Sequence, residues 1–327
     1  MEFNANGFTC KQPFTERSIY YIVLDLQKCT DQDLIQKVEE EPVTNERLQG
    51  LTVIRTWALV HTDDAKCAGE SDVIISYVIA KCHEKWSVKE VDASYMLGVQ
   101  QILTIEKGIW KLEHKMPLYI TGLVKTWQEW LDLAGWANAK PKTPVPMKQI
   151  LTLHDPEGKI SDAESKAVLA RGYMHVIGGI TWPIMNCFPE LVYGISNAGT
   201  VASRPSEKAW LYVMHILAWL RDHKDQGLVY SSDGNVSPWA AVDAALEIDI
   251  KDGKTRAGYG VMLAGACVSF QCVKQMAFSA PGAEYMQTRN CAVEIRWIRN
   301  LMKEIGFASI VKDPTEMHCD SRGATIG

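Results

Sequence analysis

The last third of the chain changes its hydrophobic pattern abruptly. Before the loop Ser231-Ser232-Asp233-Gly234-Asn235, apolar residues recur at helical spacing. After it they follow strand spacing, until one long helical stretch runs from Ala283 to Ile305. The first strand signal, Ala240-Ala241-Val242-Asp243, carries an acid, and two more strand signals follow before the helix. Beyond the helix comes Met317-His318-Cys319-Asp320-Ser321-Arg322-Gly323-Ala324, again apolar residues running into an acid. Strands that bury one face need a covering layer, and a single helix supplies it.

Upstream, the patterns are mixed. Ser18 to Leu24 reads as a buried strand and Leu51 to His61 as a second. Between them lies an acidic stretch, Glu39-Glu40-Glu41-Pro42, read as a helix ended by proline or a solvated loop. Thr62-Asp63-Asp64 breaks the second strand and Ala65 to Gly69 resumes it, which predicts strand, tight turn, strand. Ser71 caps a helix reaching about Trp86. A hairpin is predicted across Glu106-Lys107-Gly108, then a helix from Pro117 to about Leu133. Pro141-Lys142-Thr143-Pro144-Val145-Pro146 is a rigid linker and the clearest domain boundary. Helices at about 161–180, 189–199 and 205–223 follow it.

At 327 residues the chain is long enough for two or three domains. Residues 1–50 hold nine acids and five bases, a charge of −4, which leaves −1 of the total −5 for residues 51–327. A protein that grips a nucleic-acid backbone usually carries a basic balance, so weak rather than tight binding of RNA or RNA–DNA hybrid is expected. The nine cysteines show no CxxC or zinc spacing and sit in apolar segments, which reads as reduced thiols in an intracellular protein, cytoplasmic or nuclear. No signal peptide and no apolar run of membrane-spanning length is present, so no membrane association is expected.

Two sets of acids carry potential chemistry. Asp63 and Asp64 share a hairpin tip, where paired carboxylates suit a hard cation such as Mg²⁺. Polymerases complete such a pair with a third aspartate on a neighbouring strand to place two metals. Asp25, at the end of Val23-Leu24-Asp25, is the upstream candidate for that role.

The surroundings of both sets resemble copia-type LTR retrotransposon Pol polyproteins. His61-Thr62-Asp63-Asp64 and Met96-Leu97-Gly98-Val99 stand where the family's reverse transcriptase has Tyr-Val-Asp-Asp and Phe-Leu-Gly-Ile. Thr143-Pro144-Val145-Pro146-Met147 resembles its Thr-Pro-Met, and Gly227-Leu228-Val229-Tyr230 its Gly-Leu-x-Tyr strand. Ala241-Val242-Asp243-Ala244-Ala245-Leu246 matches the first strand of the family's RNase H domain, Lys254 to Tyr259 its Arg-Ser-Thr-Ser-Gly-Tyr, and Ser279 to Tyr285 its Ser-Ser-Thr-Glu-Ala-Glu-Tyr. The resemblance spans roughly residues 51–327.

That resemblance implies an α+β or α/β multidomain chain. It assigns 1–50 to an acidic N-terminal segment, 51–140 to a partial reverse-transcriptase palm, 141–235 to a helical, thumb-like connection and 236–327 to a truncated RNase H-like mixed sheet with a helix. The shared order of motifs implies three antiparallel strands and a fourth parallel to the first, with Asp243 and Asp320 at adjacent positions. The family's Glu ligand falls at Gly282; Glu284, two helical positions or about 200° away, is a weak substitute. The fourth RNase H ligand falls beyond the last residue, and the first palm aspartate of the family lies far upstream. The expected function is therefore a degenerate or domesticated, non-catalytic fragment. The alternative is a residual two-metal nuclease or polymerase acting on RNA–DNA hybrid, with Mg²⁺ or Mn²⁺ as cofactor if active and none otherwise.

Overall fold

A computed structural model describes residues 6–41, 52–91, 94–146, 160–244, 254–276 and 280–320. Pro42, Met147, Ala245, Leu246, Ser279 and residues 321–324 lie outside these ranges. The chain divides into two units, Met1–Leu97 with Arg296–Asp313, and Gly98–Ile295 with Pro314–Gly327.

The first unit is built on an antiparallel sheet in the order β1 (Phe8–Lys11), β2 (Ile19–Asp25), β3 (Val53–His61), β4 (Asp64–Gly69). Two helices cover it, α1 (Gln32–Glu39) and α2 (Asp72–His83). Each starts at a side-chain cap: Asp31 accepts from the Leu34 N–H at 3.0 Å and Ser71 from the Ile74 N–H at 3.2 Å. Ile22, Leu24 and Ile54 from the strands meet Leu34, Val38, Ile74 and Val78 from the helices in one core. Alternation along the strands and i, i+4 spacing along the helices bring these residues to one layer. A distant segment completes the unit: Trp57 Nε1 donates to the Ile305 carbonyl at 2.8 Å, and its ring stacks on Phe307 with centroids 5.1 Å apart.

The second unit holds a helical layer and two sheets. β6 (Val99–Glu106) and β7 (Ile109–Lys115) form the expected hairpin, with Lys107 and Gly108 at φ +51° and +79° as the turn demands, and β8 (Gly227–Ser231) pairs with β7. The short strand β5 (Tyr95–Met96) precedes them. The helices are α3 (Pro117–Leu133), α4 (Asp162–Ala170), α5 (Tyr173–Cys187), α6 (Val192–Thr200) and α7 (Glu207–Asp222). Ile120, Trp127 and Leu131 of α3 pack with Tyr173, Val176 and Ile180 of α5 and with Trp210, Val213 and Leu217 of α7. The single helix expected over 161–180 is two. Gly172 at φ +96° breaks it, in a backbone conformation an L side chain adopts only under strain, and the Trp127 ring fills the space a Cβ would need.

The third sheet has the order β11-β10-β9-β12, formed by β9 (Trp239–Ala244), β10 (Lys254–Leu263), β11 (Ala266–Met276) and β12 (Glu316–Cys319). β9, β10 and β11 are antiparallel to one another, and β12 runs parallel to β9. The helix α8 (Ala280–Glu304) precedes β12 in the chain, and Ala283 near its start packs on Ala244 and Ala257. The molecule is therefore a mixed α/β protein with several antiparallel sheets. Among the described residues no helix is long and apolar enough to cross a membrane, and all nine cysteines are free thiols.

Candidate carboxylate site

β9 alternates cleanly. Ala240, Val242 and Ala244 are buried, while Ala241 and Asp243 are exposed. In the parallel pair Cys319 lies opposite Val242. One residue further along both chains, Asp320 is brought beside Asp243. Both acids line an open depression of about 560 Å³, together with Ala241, Val242, Met317, His318 and Cys319.

Glu284 approaches from α8. The helix buries Ala283, Glu284, Gln287, Cys291, Ile295 and Ile298, a stripe at i, i+3 and i+4 spacing. Glu284 sits on that stripe and is only 7% exposed. Its Oε2 accepts from the Cys319 thiol with an Oε2–Sγ distance of 3.7 Å. One ligand atom each of Glu284, Cys319 and Asp320 lies within 4.8 Å of the others. Glu284 thus faces Cys319 and Asp320, although the motif match sets the family's glutamate at Gly282 and Glu284 away from it. The direction of a helical side chain follows the buried stripe, and residue 282 is only half-buried. The spacing Glu284, Gln287, Cys291 is the signal in the sequence that marks the inward face.

Burial pushes the Glu284 carboxyl above its ordinary pKa, and the charges of Asp320 and Asp243 push it the same way; the Cys319 hydrogen bond opposes them. Among the described residues, no ion pair engages Asp243, Glu284 or Asp320. Three acids of like charge at one end of a sheet, with no basic partner, form a donor set of hard oxygens that suits Mg²⁺ or Mn²⁺. Asp243 lies outside the tight group and contributes through its charge and its place on the depression.

The other set of acids is arranged differently. The tip between β3 and β4 is Thr62-Asp63, with Thr62 at φ +54°, and Asp64 already pairs with His61 as the first residue of β4. Asp63 and Asp64 are both exposed. Asp25 pairs with Val53, at the opposite end of β3. Eight strand steps of about 3.3 Å separate Val53 from His61, so Asp25 stands about 26 Å from the tip. It is engaged by Lys28, Nζ to Oδ2 at 2.8 Å, and this hydrogen bond and charge hold its carboxyl below the ordinary range. Asp25 and the Asp63–Asp64 pair do not come together.

No family model matches the chain, and no solved structure matches it. Curated relatives do. The retrovirus-related Pol polyprotein from transposon RE2 of Arabidopsis thaliana is 25% identical over 273 residues, covering 82% of this chain and 17% of that protein. The Pol polyprotein from transposon RE1 of the same plant is 24% identical over 274 residues, again 82% of this chain and 17% of the relative. The Pol polyprotein from transposon TNT 1-94 of Nicotiana tabacum is 21% identical over 270 residues, 81% of this chain and 19% of the relative. The chain thus spans less than a fifth of the length of these relatives. Along about four-fifths of its residues, then, the chain is similar to the retrovirus-related Pol polyproteins of plant transposons.

Proposed function

We propose that residues 236–320 form an RNase H-like nuclease unit that uses Asp243, Glu284 and Asp320 to hold Mg²⁺ or Mn²⁺ and cut the RNA strand of an RNA–DNA hybrid. The observation that carries this reading is the approach of Glu284 from the start of α8 to Cys319 and Asp320 at the end of β12, beside Asp243 of β9. The strand order β11-β10-β9-β12, with only β12 parallel, supports it. A bound divalent ion supplies charge to offset the phosphodiester oxygens and to generate a hydroxide at neutral pH. The chain supplies the rest: two exposed carboxylates on an open depression that a backbone can reach, and a buried one fixed by helix packing. With a charge of about −1 over residues 51–327, hybrid binding is weak and falls steeply with salt.

For residues 51–140 the palm reading takes its non-catalytic form. The observation favouring it is the separation of Asp25 from the exposed Asp63–Asp64 tip along β3, which leaves the pair without a third carboxylate from that strand. Primer extension is not expected.

The test is cleavage of a labelled RNA–DNA hybrid in Mg²⁺ and Mn²⁺ by the wild type beside Asp243→Asn and Glu284→Gln. Cleavage by the wild type that both substitutions abolish supports the nuclease reading. A wild type without cleavage, under conditions where Mn²⁺ still raises its Tm, returns the chain to a metal-binding but non-catalytic fragment.

A further inference from the structure

Glu284 presents an unusual environment for a carboxylate. It is 7% exposed, faces the second carboxylate of Asp320, and has no basic partner among the described residues. Its single side-chain hydrogen bond comes from a thiol, a weak donor, and reaches only Oε2. Burying an acid without a compensating cation or good donors is costly, and a bound cation removes that cost.

The third group at this point is sulfur. Cys319 Sγ lies in the same 4.8 Å group as the oxygens of Glu284 and Asp320, on the half-buried side of β12. A tetrahedral ion with bonds of about 2.0–2.3 Å sets its ligand atoms about 3.3–3.8 Å apart. The 3.7 Å between Glu284 Oε2 and Cys319 Sγ meets that spacing, and any wider gap in the group closes on binding. A thiolate changes which ion is favoured. Mg²⁺ demands hard oxygens, whereas Zn²⁺ is borderline-soft and takes sulfur, carboxylate and water together.

We propose that Glu284, Cys319 and Asp320 form a site for a thiophilic divalent cation, Zn²⁺ foremost, which competes with Mg²⁺ or Mn²⁺ at this end of the sheet. Two of its three ligands belong to the carboxylate cluster assigned above, so the proposal deepens that reading. On binding, the Cys319 thiol loses its proton to solvent, the S–H···Oε2 hydrogen bond is replaced by bonds to the metal, and water fills the fourth position; no group is oxidised or reduced.

The experiment uses the full chain with Co²⁺ as a spectroscopic probe and Zn²⁺ in competition with a chromophoric chelator. The wild type is expected to develop the near-ultraviolet thiolate-to-cobalt band. Cys319→Ser is expected to lose it, although eight of the nine cysteines remain. Losing even an outer-shell partner costs about 10–100-fold in metal affinity, so the serine variant should bind Zn²⁺ at least about tenfold more weakly. Retained Mn²⁺ stabilisation of Cys319→Ser shows that the fold and the oxygens are intact. Equal cobalt bands, or equal Zn²⁺ affinity, in wild type and Cys319→Ser overturn the proposal. The two readings fail separately. A cobalt band that depends on Cys319, without hybrid cleavage in Mn²⁺, sinks only the nuclease; cleavage without such a band sinks only the thiophilic site.

Discussion

Arg256 of β10 reaches the buried side-chain amide of Asn197 on α6, Nη2 to Oδ1 at 3.1 Å. The same guanidinium donates to Ser196 Oγ at 2.8 Å and Thr200 Oγ1 at 3.2 Å, and lies over the Tyr193 ring at 5.6 Å. Asn197 in turn donates to Tyr212 Oη on α7 at 3.4 Å. One fork-shaped cation thereby ties the sheet that carries Asp243 to the helical layer.

Arg256→Ala is expected to destabilise the second unit by about 1–3 kcal/mol, because it leaves the buried Asn197 oxygen without its donor. Arg256→Lys should recover little, since one ammonium cannot serve three acceptors in the geometry of a planar fork. Urea unfolding of the three proteins checks this. A lysine variant as stable as the wild type would show that charge alone, and not the fork, makes the connection.

Gly306 closes α8 at φ +95°, and a Cβ there would stand 2.5 Å from Tyr21 Oη. Gly306→Ala should cost about 1–3 kcal/mol from backbone strain, with the clash added to it. Gly108 is the control: its φ is +79°, yet nothing lies within 4 Å of its Cβ position. Gly108→Ala should therefore lower the Tm less than Gly306→Ala. Equal losses would mean that the Tyr21 contact contributes nothing.

The features legible in the sequence are those set by local pattern. Strand alternation around Asp243, the cap Ser71 and the Lys107-Gly108 hairpin are all carried by residues close in the chain, whereas the parallel return at Asp320 is legible only through the resemblance to the family's order of motifs. Motif matching points to Gly282, whereas the buried stripe through Gln287 and Cys291 turns Glu284 inward. The bond between Trp57 and Ile305 joins residues 248 apart, and that from Arg256 to Asn197 joins residues 59 apart. No periodicity within either segment encodes such a partner. The separation of Asp25 from Asp63 depends on sheet register, which the two strand signals alone do not specify.

The raised pKa of Glu284 has a definite consequence for stability. The folded protein holds the Glu284 proton more tightly than the unfolded chain, whose glutamate titrates near about 4.3. Its stabilising contribution is full below that value and is lost as pH rises through the raised one. Glu284→Gln mimics the protonated form. In the presence of a chelator, it should raise the Tm relative to wild type near about pH 7, and the gap should close towards about pH 4. Added Mn²⁺ should reverse the order at neutral pH, since only the wild type keeps the ionised ligand. A Glu284→Gln variant less stable than wild type at neutral pH without metal would contradict the buried, uncompensated charge.

The Asp63–Asp64 tip should be indifferent to the same ion. Both side chains are exposed, Thr62 at φ +54° makes the turn by backbone conformation alone, and Asp25 stands at the far end of β3. An exposed substitution away from caps and cores changes stability by less than about 0.5 kcal/mol. Asp63→Asn is therefore expected to unfold like the wild type and to keep the full Mn²⁺-dependent rise in Tm. That rise corresponds to about 2.7 kcal/mol when free Mn²⁺ is about 100-fold above its Kd. Asp243→Asn, beside Asp320 on the open depression, should lose most of the rise. Thermal-shift titrations of the three proteins separate the two acidic sets. If Asp63→Asn abolishes the Mn²⁺ response and Asp243→Asn leaves it unchanged, the metal belongs to the hairpin tip and the carboxylates around Glu284 are not its site.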